Sequence, residues 1–232
     1  MESDNLRKRE PRKGSEDLPQ DPSGSPASMA LSTPFNMILV GMTACGKTHY
    51  LLELLEADYM KHFEYIVLLC PTFEWNKTYH QWKYINDPDF LAIPCDHEDI
   101  DIVLNHVVDI FKGSNTLVIL DDCASGQEIK NRTSEIVKLG FSARHYGLST
   151  VVITQQLTSV AKPYRENISK LVTFYTANRS DMKTLVDDYL NGVSKTEVSR
   201  IIGQLRDNKY ARLEINLTHP YGYRVNRTCG MV

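Results

Sequence analysis

Residues 41–48, Gly-Met-Thr-Ala-Cys-Gly-Lys-Thr, match GxxxxGK[ST] without a departure, and that pattern demands a particular local fold. Its glycines let the backbone curl until successive N–H groups point at phosphate oxygens, and the following helix adds its positive end. A strand must lead in and a helix must lead out. Residues 35–40 form a short, nearly continuous apolar run, as expected of a strand buried on both faces. Beyond the loop, Tyr50, Leu51, Leu54 and Leu55 fall on one helical face. Lys47 is expected to reach the β- and γ-phosphates as a mobile point charge, and Thr48 to offer its hydroxyl to magnesium. Gly41, Met42, Thr43, Ala44, Cys45, Gly46, Lys47, Thr48 and His49 thus form the expected nucleotide cradle. Cys45 puts a thiol inside it, where oxidation or alkylation would interfere with binding.

Similar apolar runs recur at residues 65–70, 116–120, 150–154 and 171–175, with helical patterns between them. One such pattern sets Ile102, Val103, His106, Val107 and Ile110 on a shared face. Strands alternating with helices imply parallel strands joined by crossovers, hence an α/β sandwich. Met182, Leu185, Val186, Tyr189 and Leu190 predict a later helix capped by Ser180, and Ser194 with Glu197 forms a capping box opening the next. Residues 210–225 alternate enough for one or two strands around a turn at residues 219–222. Residues 1–31 are rich in Pro, Ser, Gly and charge and hold hardly any large apolar side chain. Such a segment cannot repay its ordering entropy, so a disordered tail is expected before a domain spanning 32–232. Its Lys-Arg cluster (Arg7, Lys8, Arg9, Arg12 and Lys13) reads as a solvated tail, with a nucleic-acid contact or a nuclear address as the alternatives.

The run at 116–120 leads straight into Asp121-Asp122. A buried strand delivering carboxylates at its C-terminal end sets them beside the phosphate loop, where open α/β sheets bind ligands. Asp121 is assigned to the magnesium ion and Asp122 to orienting and deprotonating the attacking water. A guanine-nucleotide switch needs DxxG here, and neither aspartate has Gly at that offset. Asn178-Arg-Ser-Asp181 imitates the guanine-reading NKxD, but without DxxG it reads as a turn and helix cap. ATP is therefore the expected nucleotide. The run at 150–154 ends in Gln155-Gln156. Where an extra strand lies between the loop and the acidic strand, a polar residue at this place contacts the γ-phosphate or the water, and Gln155 is chosen for that role. Arg144, just upstream, could stabilise transition-state charge on a neighbouring subunit's nucleotide, contact a DNA backbone or pair with a surface carboxylate. Lys130, Arg132, Lys138 and Arg144 make this stretch basic, suiting either a phosphate-tracking pore lining or a solvated face.

Composition excludes several classes. A formal net charge of −3 gives no global attraction to nucleic acid, so an anionic partner would have to meet a local basic patch. Five cysteines without CxxC spacing argue against a disulfide framework or zinc site and for an intracellular, reducing setting. The first residues lack a signal peptide's apolar stretch. No apolar run approaches the roughly 20 residues that span a bilayer, so a soluble protein is expected.

The ordered series of residues resembles the genome-packaging ATPases of large DNA viruses of the poxvirus type. Related proteins occur in Maverick/Polinton mobile elements, within the FtsK–HerA group of DNA-pumping motors. The resemblance runs through the phosphate loop, Leu69-Cys70-Pro71-Thr72 with Asn76 and Tyr79, Leu120-Asp121-Asp122, Arg144-His145 and residues 149–155, covering roughly residues 35–180. It implies a RecA-like three-layer core with a mostly parallel sheet, a homo-oligomeric ring, and ATP-driven movement of double-stranded DNA into a capsid through a capsid or portal-like component. It matches Arg144 to the family's arginine. A nucleotide kinase is the competing enzyme class, although no arginine-rich lid is evident. A non-catalytic nucleotide-binding scaffold is the non-enzymatic alternative, against which the intact Lys47, Thr48, Asp121 and Asp122 speak.

Overall fold

The computed structural model describes residues 34–123, 134–218 and 221–226. Strand β1 (Asn36–Val40) runs into the loop that opens helix α1 (Lys47–Leu54). A π turn (Leu55–Tyr59) carries α1 into the short α2 (Met60–His62). Then follow β2 (Tyr65–Leu69), α3 (Lys77–His80), β3 (Phe90–Ile93), α4 (Ile100–Phe111) and β4 (Thr116–Asp121). After them come α5 (Glu135–Tyr146), β5 (Leu148–Thr154), α6 (Lys162–Arg165) and β6 (Lys170–Phe174). The chain continues with α7 (Arg179–Thr184), α8 (Lys195–Asp207), β7 (Arg212–Asn216) and β8 (Gly222–Asn226).

The strands form one sheet in the order β3-β2-β4-β5-β1-β6-β7-β8. The first six in that order pair in parallel, while β7 and β8 add an antiparallel edge. Every residue of β1, β4, β5 and β6 is buried, which a parallel sheet covered on both faces requires. Alternation divides the core in two. Ile38, Val40, Val67, Leu69, Val118, Leu120 and Val152 face one cluster, with α4, α5 and α8 against it. Met37, Leu39, Ile66, Leu68, Leu117, Ile119 and Ile153 face the other, with α1. Each fully buried Leu or Ile side chain stabilises the fold by about 1.5–3 kcal/mol. The result is the expected three-layer sandwich.

Five of the parallel strands fall where the apolar runs predicted them. The sixth, β3, has a weak pattern because it is an edge strand with Leu91 exposed. Helix α4 corrects the predicted face. Its buried stripe is Ile100, Leu104 and Val107, while Ile102 and Ile110 are 59% and 72% exposed. Apolar residues occur all round this helix, so periodicity alone did not choose the side. The cap of α7 is Asn178 rather than Ser180: its side chain accepts from the N–H groups of Ser180 and Asp181. Ser194 caps α8 by accepting from Glu197 N–H at 3.3 Å. The Glu197 carboxylate instead accepts from Arg200 and the Tyr223 hydroxyl, so the box is half formed. Two strands fill residues 210–225 as expected. The tip of their turn, residues 219–220, lies outside the described residues, as do the tail at 1–31, Lys130 and Arg132.

The antiparallel edge holds a buried charge cluster. Glu214 on β7 is fully buried and accepts from Lys170 at 3.0 Å, Arg212 and Arg224 at 3.2 Å each, and Asn226 at 2.5 Å. Burial alone would raise the Glu214 carboxyl, but Lys170, Arg224 and Arg212 together bring it down to about 2. The Arg212 guanidinium also lies 4.3 Å from the centre of the Tyr50 ring. The cluster thereby ties the sheet edge to α1, the helix that follows the phosphate loop.

Candidate active site

Parallel pairing brings the C-terminal ends of β1, β5 and β4 together. Val40 pairs with Thr154, and Ile153 with Asp121. Gly41 N–H donates to the Thr154 carbonyl at 3.2 Å, so the loop starts locked to β5. No side chain fits at Gly41, because a Cβ there would lie 2.6 Å from Cys45 Sγ and 2.8 Å from Phe174 Cβ. Within the loop the Cys45 N–H donates to the Met42 carbonyl at 3.4 Å, and Ala44 and Gly46 take left-handed φ angles of 57° and 101°. For Ala44 this costs about 1–2 kcal/mol, strain that only a well-supported loop sustains. Lys47 Nζ donates to the carbonyls of Gly41 at 2.7 Å and Met42 at 3.0 Å, which holds its charge over the loop. Met42, Thr43, Ala44 and His49 are exposed.

The acidic pair is split by environment. Asp121 ends β4 and is buried, and its Oδ2 accepts from the Tyr79 hydroxyl at 2.6 Å. Burial pushes its carboxyl up to about 6; the Tyr79 hydrogen bond pulls against that rise and the Asp122 charge adds to it. Asp122 leaves the strand in a left-handed conformation, φ 56°. This backbone reversal turns the second carboxylate toward the neighbouring strand end rather than the core. There Gln155 Nε2 lies 3.5 Å from Asp122 Oδ1, and Gln155 Oε1 accepts from Thr43 Oγ1 at 3.2 Å. Gln155 therefore links the phosphate loop to the acidic pair, and it can do so because β5 lies between β1 and β4. The Gln156 backbone carbonyl accepts from the hydroxyls of Thr154 and Ser159.

Magnesium can be tested against these groups. Among the described residues no three His, Cys, Asp or Glu converge. Magnesium at a phosphate site needs fewer, because substrate oxygens and waters fill most of its octahedron. Asp121 is a buried carboxylate whose proton affinity is raised and whose hydrogen bond from Tyr79 leaves the charge incompletely balanced. A cation beside it would relieve that penalty, so Asp121 fits the ion.

One expectation changes. Cys45 is 5% exposed, and burial raises its thiol although Lys47 pulls it back, so it is an unreactive packing group. Arg144 lies in the last turn of α5, where it donates to Ser169 Oγ at 3.4 Å. That is the N-terminal end of β5, about 20 Å from this chain's own phosphate loop by strand rise, so the structure does not bring it to the other candidates. Lys138 is exposed and paired with Glu135 on α5, which suits the solvated-face reading. The turn reading of residues 178–181 holds. Asn178 caps α7, and buried Asp181 accepts from the N–H and hydroxyl of Thr158.

Tyr79 is the residue whose role sequence reasoning missed. It belongs to the resemblance series, yet the partner of its hydroxyl was not foreseen. A local signal exists: Asn76 accepts from Thr78 N–H and caps α3, the single turn that delivers Tyr79.

Comparison with known proteins bears on the fold and the family. No curated protein sequence matches the chain. The DNA-packaging ATPase B204 from Sulfolobus turreted icosahedral virus superposes with a TM-score of 0.63 at 15% identity, covering 86% of this chain and 100% of that one. The genome packaging NTPase B204 from Sulfolobus turreted icosahedral virus 2, in complex with ATP-gammaS, gives a TM-score of 0.61 at 14% identity, with coverage of 85% and 98%. At these identities the likeness establishes the fold. The family model of the poxvirus A32 protein matches residues 27–219. That span reaches beyond the expected 35–180 and takes in α8 and β7. With five-sixths of its length under that model, the chain belongs to the poxvirus A32 protein family of genome-packaging ATPases.

Proposed function

We propose that residues 32–232 hydrolyse ATP and couple the hydrolysis to moving double-stranded DNA into a viral or virus-like capsid. The observation that carries the hydrolytic half is the link from Thr43 through Gln155 to Asp122. A residue bridging loop and carboxylate is where an attacking water would be held for transfer to the γ-phosphate. In this reading the loop amides and Lys47 hold the phosphates, and Lys47 offsets the charge that develops on the γ-phosphoryl group. Thr48 and Asp121 would hold magnesium, which would supply neutralisation of phosphate charge. Gln155 orients the water, and Asp122 takes its proton.

DNA and capsid enter through family membership and through the B204 structures, one of which is named as a DNA-packaging ATPase. A ring of identical subunits suits the position of Arg144. A residue so far from its own loop can act on a nucleotide only if that nucleotide belongs to a neighbour. Among the described residues no helix is long and apolar enough to cross a membrane.

The test is steady-state ATP hydrolysis with and without double-stranded DNA, beside the assembled mass in solution. Hydrolysis stimulated by DNA and a multi-subunit mass are expected. Lys47→Ala should abolish turnover, and Asp122→Asn should retain ATP binding while slowing hydrolysis at least about 100-fold. An enzyme indifferent to DNA would remove the translocation half, and normal turnover in either variant would remove the assigned roles.

A further inference from the structure

The catalytic candidates lie on one side of β1. Asp122 follows β4 and Gln155 follows β5, both toward the β2 end of the sheet. If the γ-phosphate of a bound nucleotide lies there, the polyphosphate chain runs along the loop and its nucleoside leaves on the opposite side, over β6 and β7. Two aromatic rings stand at that exit. A side-chain carbon at Gly46 would lie 3.4 Å from the Tyr210 ring and 3.8 Å from that of Phe174. Phe174 is 2% exposed and packs in the core, whereas Tyr210 is 42% exposed. Gly46, with its left-handed φ, thus has the Tyr210 ring as a direct neighbour.

The backbone that carries the Tyr210 ring is held in place. It sits in the turn between α8 and β7, which Asn208 closes: its side chain accepts from Tyr210 N–H and its carbonyl from Ala211 N–H, both at 3.0 Å. Lys209 Nζ lies 5.5 Å from the ring centre, close enough for a cation–π contact. An anchored, half-exposed aromatic ring beside the end of a phosphate loop has the form of a stacking platform. Every nucleobase has a π face that such a platform can take.

We infer that Tyr210 is the shelf on which the nucleotide's base stacks, with Lys209 bracing the ring. This rests on the reading of residues 41–48 as the phosphate site. It adds a residue outside every nucleotide motif, contributed by the turn that joins the last helix to the antiparallel edge.

The test is calorimetric titration of the full chain with ATP and, separately, with inorganic tripolyphosphate, which has no base. Tyr210→Ala should weaken ATP roughly tenfold, the scale of one lost base–aromatic stack, and leave tripolyphosphate unchanged. Tyr210→Phe should bind both ligands as the parent does. Equal weakening of ATP and tripolyphosphate in Tyr210→Ala would mean that the ring only props the loop, and would overturn the inference. So would ATP binding indifferent to the loss of the ring, or a Tyr210→Phe variant as weak as Tyr210→Ala. If the parent protein binds neither ligand, the phosphate-site reading itself falls and takes the shelf with it.

Discussion

Asp121 and Glu214 are both buried carboxylates in one sheet, and their surroundings treat the charge in opposite ways. Glu214 meets Lys170, Arg212, Arg224 and Asn226, and its carboxyl falls to about 2. Asp121 receives a hydrogen bond from Tyr79, and burial carries it up to about 6. The first is compensated from within the chain and pins the antiparallel edge to α1. The second carries an unpaid desolvation penalty that a cation from outside would cancel. Glu214 is thus balanced within the fold, whereas Asp121 is the carboxylate left short of compensation.

Amide substitution should separate the two most clearly. Glu214→Gln leaves Lys170, Arg212 and Arg224 buried together without their anion. It should cost about 3–5 kcal/mol, read as a fall in Tm on the order of 10 °C. A change within 2 °C or so of the parent would mean that the cluster is not the support described.

Asp121→Asn should move stability the other way. Leaving Asp121 ionised at pH 7 costs on the order of 3 kcal/mol, and the amide can still accept from Tyr79. The variant should thus gain about 1–3 kcal/mol at pH 7 while losing ATP turnover. The sign can be followed with pH. A carboxyl raised from 3.8 to about 6 favours the fold below pH 4 and loses that favour as pH rises through 6. Glu214, lowered from 4.5 to about 2, favours the fold above pH 4.5 and loses that favour as pH falls toward 2. Chemical denaturation of the parent should therefore show stability increasing from pH 6.5 to 4.5 through Asp121, and falling below that through Glu214. The increase should vanish in Asp121→Asn; its persistence would assign it to another group.

The smallest effect belongs to Tyr79→Phe, which removes one donor from a buried carboxylate at a cost of about 1–2 kcal/mol. Because the Tyr79 bond holds Asp121 down, its loss should move the acid limb of the kcat/KM profile to higher pH. A merely structural tyrosine would lower stability and leave that limb where it was.

Much of this was legible beforehand. The loop at residues 41–48 identifies itself because its glycines and lysine act within eight consecutive residues. The runs that became β1, β2, β4, β5 and β6 were visible because strands buried on both faces tolerate few polar residues. Legibility failed where two elements share a choice. Helix α4 carries Ile102 and Ile110 as well as Ile100, Leu104 and Val107, and only the sheet beneath it decides which set is covered. At α7, Asn178 and Ser180 are both good caps, and two residues of backbone separate the choices.

What the sequence by itself determined was the phosphate loop, the succession of strands and helices, and the acidic pair at a strand end. Each follows from the covalent order of neighbouring residues. Tertiary structure alone decided that β5 enters between β1 and β4, which puts Gln155 between Thr43 and Asp122. It also decided that Tyr79 reaches Asp121 across 42 positions, that Lys170 reaches Glu214, and that Tyr210 comes to rest beside Gly46. The physical reason is the same in each case. Hydrogen bonds and desolvation act through space, and which distant groups meet depends on the order in which crossovers lay strands into a sheet.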